Sequence, residues 1–201
     1  LARHVTVCMD CHSTRDWNRF SGPIVPGTLG KGGERFDEKI GLPGVIISKN
    51  ITPAALGNWS DGEILRAMAG GISKDGHALF PLMPYDAYRF MDESDALAII
   101  AYVRSIPAVD NQVPRHQLDF PLNLIVNAAD AMSALPEAER VMTIDTALDA
   151  GVIRLCVADR GPGIPADAMG RVSERFWGTP AEGMAVGLAV FKSIVAAHHG
   201  T

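Results

Sequence analysis

This sequence lacks long apolar runs, a set of cysteines that could pair in disulfide bonds, and an excess of basic residues. Each absence excludes a class of protein. No uninterrupted apolar stretch of about 18 residues occurs, so we expect no membrane-spanning segment. Cysteine occurs three times, two of them in one motif and the third alone at Cys156, which excludes a disulfide framework. The net charge is −5, so the sequence does not favour a nucleic-acid-binding protein.

The residues that are present favour a globular chain of one or two domains. Hydrophobic residues make up 47% of the 201 positions and charged residues 20%, enough apolar material to fill a core. The sequence begins with Leu1 and shows no signal peptide, so we interpret it as a mature form or a fragment.

Two cysteines and a histidine near the N-terminus form the most informative motif. Cys8 and Cys11 are separated by two residues and His12 follows directly. This spacing is typical of c-type haem attachment, with the histidine as the proximal iron ligand. The alternatives are a redox-active thiol pair, which does not need the histidine, and half of a zinc site, which needs two further ligands.

A haem iron in an electron carrier usually takes a second axial ligand, and methionine raises its reduction potential. Met83 lies between Pro81 and Pro84, which restrict the backbone as a fixed ligand requires. His77, in a turn after Asp75-Gly76, is the alternative. Two further methionines, Met68 and Met91, fall on or beside predicted helices and are expected to fill the core.

Three helices are predicted in this part of the chain. The first covers Val5–His12. The second begins with a capping box of Ser60 and Glu63 and ends at Gly70-Gly71. The third covers Glu93–Ser105 and ends before Pro107. Its buried side is expected to carry Ala96, Leu97, Ile99, Ile100 and Val103. Glycine and proline recur between residues 21 and 44, which predicts a loop of the kind that wraps a porphyrin edge.

Six stretches in this order resemble a class I cytochrome c domain from cytochrome subunits of membrane-bound alcohol and sugar-acid dehydrogenases. They are Cys8-Met9-Asp10-Cys11-His12, Asn50-Ile51-Thr52-Pro53, Trp59-Ser60-Asp61, Asp75-Gly76-His77, Leu82-Met83-Pro84-Tyr85 and Ala101-Tyr102-Val103-Arg104-Ser105-Ile106-Pro107. The resemblance implies haem c attached at Cys8 and Cys11, with His12 and Met83 as iron ligands. It further implies a periplasmic electron carrier and a redox partner from a dehydrogenase or oxidase chain.

The last 80 residues have a different character. A helix is predicted from Phe120 to Met132, with Pro121 in its first turn. Two strands, Val141–Ala147 and Val152–Ala158, are joined by a turn at residues 149–151. A later apolar helix opens at Gly183 and ends at His198-His199-Gly200.

Several residues in and after these elements are of the types that bind nucleotides. The Asp159 carboxylate can accept a hydrogen bond from an adenine amino group while Gly161 and Gly163 let the backbone approach closely. A glycine-rich turn before a helix, as at Gly183, places N–H groups near phosphates. Asn127 can complete a Mg²⁺ shell, and Asn123 shares its helix face.

In their order these stretches resemble the nucleotide-binding boxes of sensor histidine kinase ATPase domains. The stretches are residues 123–131, Asp159 to Gly163, Phe176 and Gly183 to Leu188. The resemblance implies Mg-ATP as ligand, with Asn127 on Mg²⁺, Asp159 on adenine, and Gly161, Gly163, Gly183 and Gly187 lining the nucleotide.

The sequence also departs from the kinase pattern. Ala185 replaces the middle glycine of the last box, and the cytochrome part occupies the region before the first box. The chain stops at Thr201, where the family continues into further strands. His116 lacks the following acidic residue of a phospho-acceptor segment. We therefore expect an incomplete ATPase domain that does not hydrolyse ATP.

Together these features predict a mainly α cytochrome c fold over residues 1–119, followed by a partial α/β sandwich (Bergerat-like) segment over residues 120–201. The expected function is electron transfer through one haem, with an inert kinase-like tail and no enzymatic activity. The alternatives are a redox- or haem-sensing kinase that binds ATP, and a composite without function. The two resemblances imply different compartments, periplasm and cytoplasm, which marks the chain as an apparent chimera.

Overall fold

The structure is a computed structural model that describes residues 1–164 and residue 166. Contacts divide the chain into two compact units. The first consists of Leu1–Asp75 and Leu79–Gln117, and the second of Gly76–Ala78 together with the chain from Leu118 onward. None of the helices in the described ranges is long and apolar enough to cross a membrane.

The first unit is mainly helical, with a small sheet of order β1-β2-β3 in which β1 and β2 are antiparallel. Its elements are α1 (Cys8–Cys11), β1 (Arg35–Phe36), a 3-10 turn (Glu38–Ile40), β2 (Gly44–Ile47), α2 (Pro53–Leu56), α3 (Asp61–Gly70), α4 (Tyr85–Tyr88) and α5 (Glu93–Ser105), and β3 (Gln117–Leu118) begins at the unit's last residue. The helical character is as predicted, while the cytochrome c fold itself stays a prediction.

Helices α3 and α5 confirm the sequence-based expectations for their ends. The Ser60 hydroxyl accepts a hydrogen bond from the Glu63 N–H, and the Glu63 carboxylate accepts one from the Ser60 N–H. This capping box satisfies two N–H groups that α3 would otherwise leave free. Gly71 ends α3 in the left-handed conformation, at φ 66°. Helix α5 has the predicted bounds, Glu93–Ser105.

Two predictions for this unit are wrong. Leu97 was expected on the buried side of α5, but it is 42% exposed, while Ala96, Ile99, Ile100 and Val103 are buried. The predicted helix from Val5 to His12 is reduced to the four residues of α1, because Val7 takes a left-handed conformation at φ 46°. A β-branched residue in that conformation interrupts a right-handed helix.

The core of the first unit joins the N-terminal segment to α3 and α5. Met9 is almost fully buried, at 1% exposure. As expected from the sequence, Met68 fills the core, and Met91 packs against it. The buried cluster consists of Ala2, Met9, Met68, Ala96, Ile99, Val103 and Ile106. Burial of these side chains supplies the main apolar stabilisation and fixes α1 against α3 and α5.

The second unit contains α6 (Leu122–Ala131), a 3-10 turn (Glu137–Glu139) and an antiparallel hairpin of β4 (Thr143–Asp149) and β5 (Val152–Ala158). The predicted hairpin turn is confirmed, with positive φ at Ala150 (48°) and Gly151 (84°). Strand β4 begins two residues later than expected, and Pro121 is the N-cap residue of α6 rather than part of its first turn. The helix predicted from Gly183 lies outside the described residues.

His116 links the segment after α5 to β2. Its Nδ1 accepts a hydrogen bond of 3.2 Å from the Ile47 N–H. Burial, with a smaller contribution from nearby Lys49, lowers the pKa of His116 from 6.5 to about 4. The folded state therefore holds this imidazole neutral where the unfolded chain would protonate it, and protonation would also remove the acceptor.

We predict that His116 makes stability depend on pH. Its stabilising contribution is fully present above pH 6.5 and is lost as pH falls from 6.5 towards 4, because the unfolded chain then binds a proton that the folded chain does not. Urea unfolding across this range tests this. In His116→Asn an amide oxygen can accept the Ile47 N–H without titrating, so its unfolding free energy should fall less steeply. Parallel pH profiles for the two proteins would contradict the prediction.

Candidate functional site

The imidazole of His12 is held by a backbone carbonyl far away in sequence. His12 Nδ1 lies 2.6 Å from the Lys49 carbonyl oxygen. Because a carbonyl can only accept a hydrogen bond, Nδ1 carries the proton and Nε2 is left with its lone pair for a metal. Burial lowers the pKa of His12, while the Lys49 bond partly offsets this. The neutral ring is the form that binds iron.

The glycine-rich loop holds the backbone of the same motif. The Gly32 N–H donates to the His12 carbonyl at 2.8 Å, and the Gly30 N–H donates to the Ser13 hydroxyl at 3.0 Å. Gly32 has φ 71°, and a Cβ there would lie 2.5 Å from the carbonyl carbon of Lys49. Only glycine allows this loop to pass close enough for His12 to reach Lys49.

The two thiols of the motif differ from a redox-active pair. Both are free, with Cys8 half-buried and Cys11 exposed. Burial raises the pKa of the Cys8 thiol, and burial together with Asp10 raises that of Cys11. A redox-active pair usually has a thiol of lowered pKa, so the raised pKa of both thiols disfavours that alternative.

The zinc alternative also lacks ligands within the part of the chain that the structure describes. Throughout residues 1–164 and 166, no three His, Cys, Asp or Glu side chains come together as a metal site. A Zn²⁺ ion held in a structural site needs four ligands, and Cys8 and Cys11 provide two.

The two candidate distal ligands lie in different units. Met83 is half-buried and packs against the core cluster of the first unit, as Cys8 does. His77 belongs to the second unit, where its Nδ1 lies 3.4 Å from an Asp130 carboxylate oxygen. The structure therefore packs Met83 against the apolar cluster that contains Met9 of the motif.

Helix α4 ties the Met83 loop to the motif. The Tyr88 hydroxyl donates a 2.6 Å hydrogen bond to the carbonyl of Thr6, and the Thr6 hydroxyl lies 3.2 Å from the Cys8 sulfur. Burial raises the pKa of Tyr88 to about 12, so its hydroxyl stays a donor at physiological pH. The end of α4 is thus fixed to Thr6, whose hydroxyl contacts Cys8.

The surroundings of the motif suit a haem. Besides Cys8, several apolar side chains pack against the core cluster but are only partly buried. They are Ile24, Leu29, Ile51, Leu56, Leu65, Met83, Tyr88, Met91 and Tyr102. A porphyrin bonded to Cys8 and Cys11 would cover apolar surface that these side chains leave exposed, which is favourable. The donor set of a neutral imidazole and a thioether also fits haem iron.

In the second unit, the turn after β5 packs on α6. The Asp159 carboxylate accepts a hydrogen bond of 2.8 Å from the Gly161 N–H. A Cβ on Gly161 would lie 3.0 Å from both the Cβ and the carbonyl oxygen of Ala131, so a side chain there would crowd α6. Gly163 has φ 73°, which also favours glycine.

Asn127 lies four residues before Ala131 on α6, and the two residues therefore share a helix face. The turn after β5 approaches that face at Ala131. Its Nδ2 is buried and has no hydrogen-bond partner within the described part of the chain. Asn123, on the same face, is buried and bonds the Leu124 N–H at 2.9 Å. The predicted residues Phe176, Gly183, Ala185 and Gly187 lie outside the described residues. The structure thus places Gly161, in the turn after β5, close to Ala131 at the end of α6, while the roles of Asn127 and Asp159 stay predictions.

Comparison with known proteins identifies relatives of two kinds. Residues 121–201 match the family described as histidine kinase-, DNA gyrase B-, and HSP90-like ATPase. The chain is 35% identical over 119 residues to a nicotinate dehydrogenase subunit of Pseudomonas putida, covering 58% of this chain and 9% of that protein. It is 38% identical over 85 residues to the fructose dehydrogenase cytochrome subunit of Gluconobacter japonicus, covering 40% of this chain and 18% of that protein. It is 30% identical over 141 residues to the sensory histidine kinase/phosphatase NtrB of Rhizobium leguminosarum bv. phaseoli, covering 59% of this chain and 36% of that protein.

The chain resembles two different kinds of protein. These are cytochrome subunits of dehydrogenases and histidine kinases, so both resemblances expected from the sequence are confirmed. The chain spans between 9% and 36% of the length of these three relatives.

Two residues that support the site were not singled out from the sequence. Lys49 contributes only its backbone carbonyl, which no side-chain pattern reveals. Gly32 was one glycine among many, although the adjacent pair Gly32-Gly33 marks a place where the backbone needs unusual freedom. The distance between His12 and Lys49 along the chain explains why spacing alone did not connect them.

We predict that Gly32→Ala lowers haem incorporation. Its Cβ would meet the Lys49 backbone at 2.5 Å, in addition to the strain of a left-handed alanine. Gly27→Ala is the matched control, because Gly27 has φ 79° and no atom within 4 Å of a built Cβ. Gly27→Ala should lower the free energy of unfolding by only about 1–2 kcal/mol, through the strain of a left-handed alanine. Haem staining per amount of protein, with the thermal unfolding midpoint, compares the two. Equal haem content in both variants would contradict the prediction.

Proposed function

We propose that this chain is a c-type cytochrome that carries electrons through one covalently bound haem. The observation that carries the proposal is the His12–Lys49 hydrogen bond of 2.6 Å within a Cys-x-x-Cys-His motif. It holds the ring as the tautomer that binds iron through Nε2. A bond from the other ring nitrogen to a carbonyl is the usual support of a metal-bound histidine.

Each residue of the site has a separate task. Cys8 and Cys11 would add their thiols to the two vinyl groups of the porphyrin, and His12 would bind the iron. Met83 would bind the iron as a second protein ligand, and a thioether ligand would favour the ferrous state. Bound haem supplies one-electron chemistry. The apolar side chains around Cys8 would exclude water, which keeps the environment of the iron constant as its charge changes.

The remaining assignments follow from the resemblance to dehydrogenase cytochrome subunits. We assign residues 1–119 to the cytochrome domain and residues 120–201 to an incomplete kinase-like domain. The electron would pass to or from a redox protein of a dehydrogenase or oxidase chain. Haem attachment implies the periplasm, whereas the kinase-like domain implies the cytoplasm, where ATP is available.

Nucleotide binding by the second unit is the other candidate function. A specific observation favours it, because the Asn127 amide nitrogen is buried without a partner in the described part of the chain, on the helix whose end Gly161 approaches. An amide in that position can turn its oxygen towards Mg²⁺, since the two ends of an amide are assigned rather than observed. Together with the cytochrome part, a nucleotide site would make the chain a redox-sensing signalling protein of the histidine kinase type.

We predict that Met83→Ala lowers the reduction potential of the haem-loaded chain. Loss of the thioether leaves water or a nitrogen donor, which favours the ferric state. Potentiometric titration followed by the haem absorbance measures the shift. Met91→Ala is the matched control, since Met91 packs against the same core cluster. If Met83→Ala retains the wild-type potential and spectrum, the ligand is another residue, and His77→Ala is the next variant.

We predict that the chain neither hydrolyses ATP nor transfers phosphate. By the resemblance, Ala185 replaces the middle glycine of the last nucleotide-binding box, and a Cβ at such a position would crowd a lid of backbone N–H groups that bind phosphate. Calorimetric titration with Mg-ATP and an assay for released phosphate test this. Phosphate release, or micromolar binding that Asp159→Asn abolishes, would favour the second candidate. Asp145→Asn, an exposed change on β4, controls for the lost charge.

A further inference from the structure

The segment that follows α5 is hydrogen-bonded along residues 47–52 for much of its length. We call residues 109–116 the strap. It has no regular secondary structure, so these bonds define its path. They join the Asn50 amide to the Val109 carbonyl (2.8 Å), the Val109 N–H to the Thr52 hydroxyl (3.2 Å), the Lys49 ammonium to the Pro114 carbonyl (3.2 Å), and the Ile47 N–H to His116 (3.2 Å).

These bonds are made by Lys49 itself and by residues on either side of it in the chain, and the Lys49 carbonyl is the group that holds His12. The Lys49 carbonyl and the Asn50 N–H belong to one planar peptide group, so fixing Asn50 fixes the direction of that carbonyl. Asn50 is 8% exposed. Its Oδ1 accepts hydrogen bonds from the N–H and the hydroxyl of Thr52, and its Nδ2 donates to the strap. Both Oδ1 and Nδ2 of Asn50 are therefore hydrogen-bonded, and Nδ2 is the atom that contacts the strap.

We infer that Asn50 is a positioning residue through which the strap sets the reduction potential. This inference rests on the proposed function, since it needs a haem iron on His12. A well-aligned Lys49 carbonyl makes the His12 imidazole a more basic ligand, and a more basic ligand favours ferric iron. Releasing Asn50 from the strap lets the peptide group turn, weakens the bond from His12 Nδ1 and raises the potential.

Asn50→Ser in the haem-loaded chain tests the inference. Serine can keep the local turn to the Thr52 N–H but is too short to reach the Val109 carbonyl, and it adds no charge. We expect a higher midpoint potential and a faster exchange of the His12 Nδ1 proton in NMR spectra. Thr52→Val, nearly isosteric, removes the acceptor of the Val109 N–H and should shift both readouts in the same direction, even if Asn50→Ser folds poorly.

Ser60→Ala is the control for a general loss of stability. It removes the capping bond to the Glu63 N–H and touches neither the strap nor Lys49. Its potential should match the wild type although its stability falls. A wild-type potential in both Asn50→Ser and Thr52→Val would overturn the inference and leave the proposed function intact. A wild-type chain that takes up no covalent haem would overturn both.

Discussion

The hydrogen bond from His12 Nδ1 to the Lys49 carbonyl is the constraint on which the rest of the first unit depends. It orients the imidazole, but it forms only because two other backbone segments permit it. Gly32 passes within contact of the Lys49 backbone, where any side chain would collide. Asn50, the next residue after Lys49, is hydrogen-bonded to the strap. The apolar core then fixes α1, so that the cysteines and the histidine share one rigid support.

The parts of the fold that depend on neighbouring residues could be predicted from the sequence. The capping box of Ser60 and Glu63, the ends of α5 and the hairpin turn before β5 all arise from interactions within a few residues. The order of the motifs was also sufficient to indicate both resemblances, because each motif type has its own chemistry. Local patterns therefore described these elements and both resemblances, while the chemical identity of the site stays a prediction.

The support of the site could not be predicted in this way. The bond from His12 joins residues 37 positions apart and uses a backbone oxygen that every residue possesses. The small sheet of β1, β2 and β3 involves strands too short to show an alternating pattern. Val7 interrupts the expected helix because the tertiary structure imposes a left-handed conformation that its side chain disfavours. Leu97 shows that an apolar residue in a helix can face solvent when its neighbours fill the core.

The two halves resemble proteins of different chemistries, and the proposed function depends on the haem. The pyridine haemochrome spectrum of the purified chain, expressed with haem-attachment machinery, tests this claim most directly. Pyridine replaces both axial ligands, so the spectrum reports only whether the porphyrin carries vinyl groups or thioether bonds. The account predicts one thioether-linked haem per chain that resists acid-acetone extraction and is lost when Cys8 and Cys11 are both replaced by alanine. An extractable haem, or a colourless chain from cells that mature other c-type cytochromes, would contradict it.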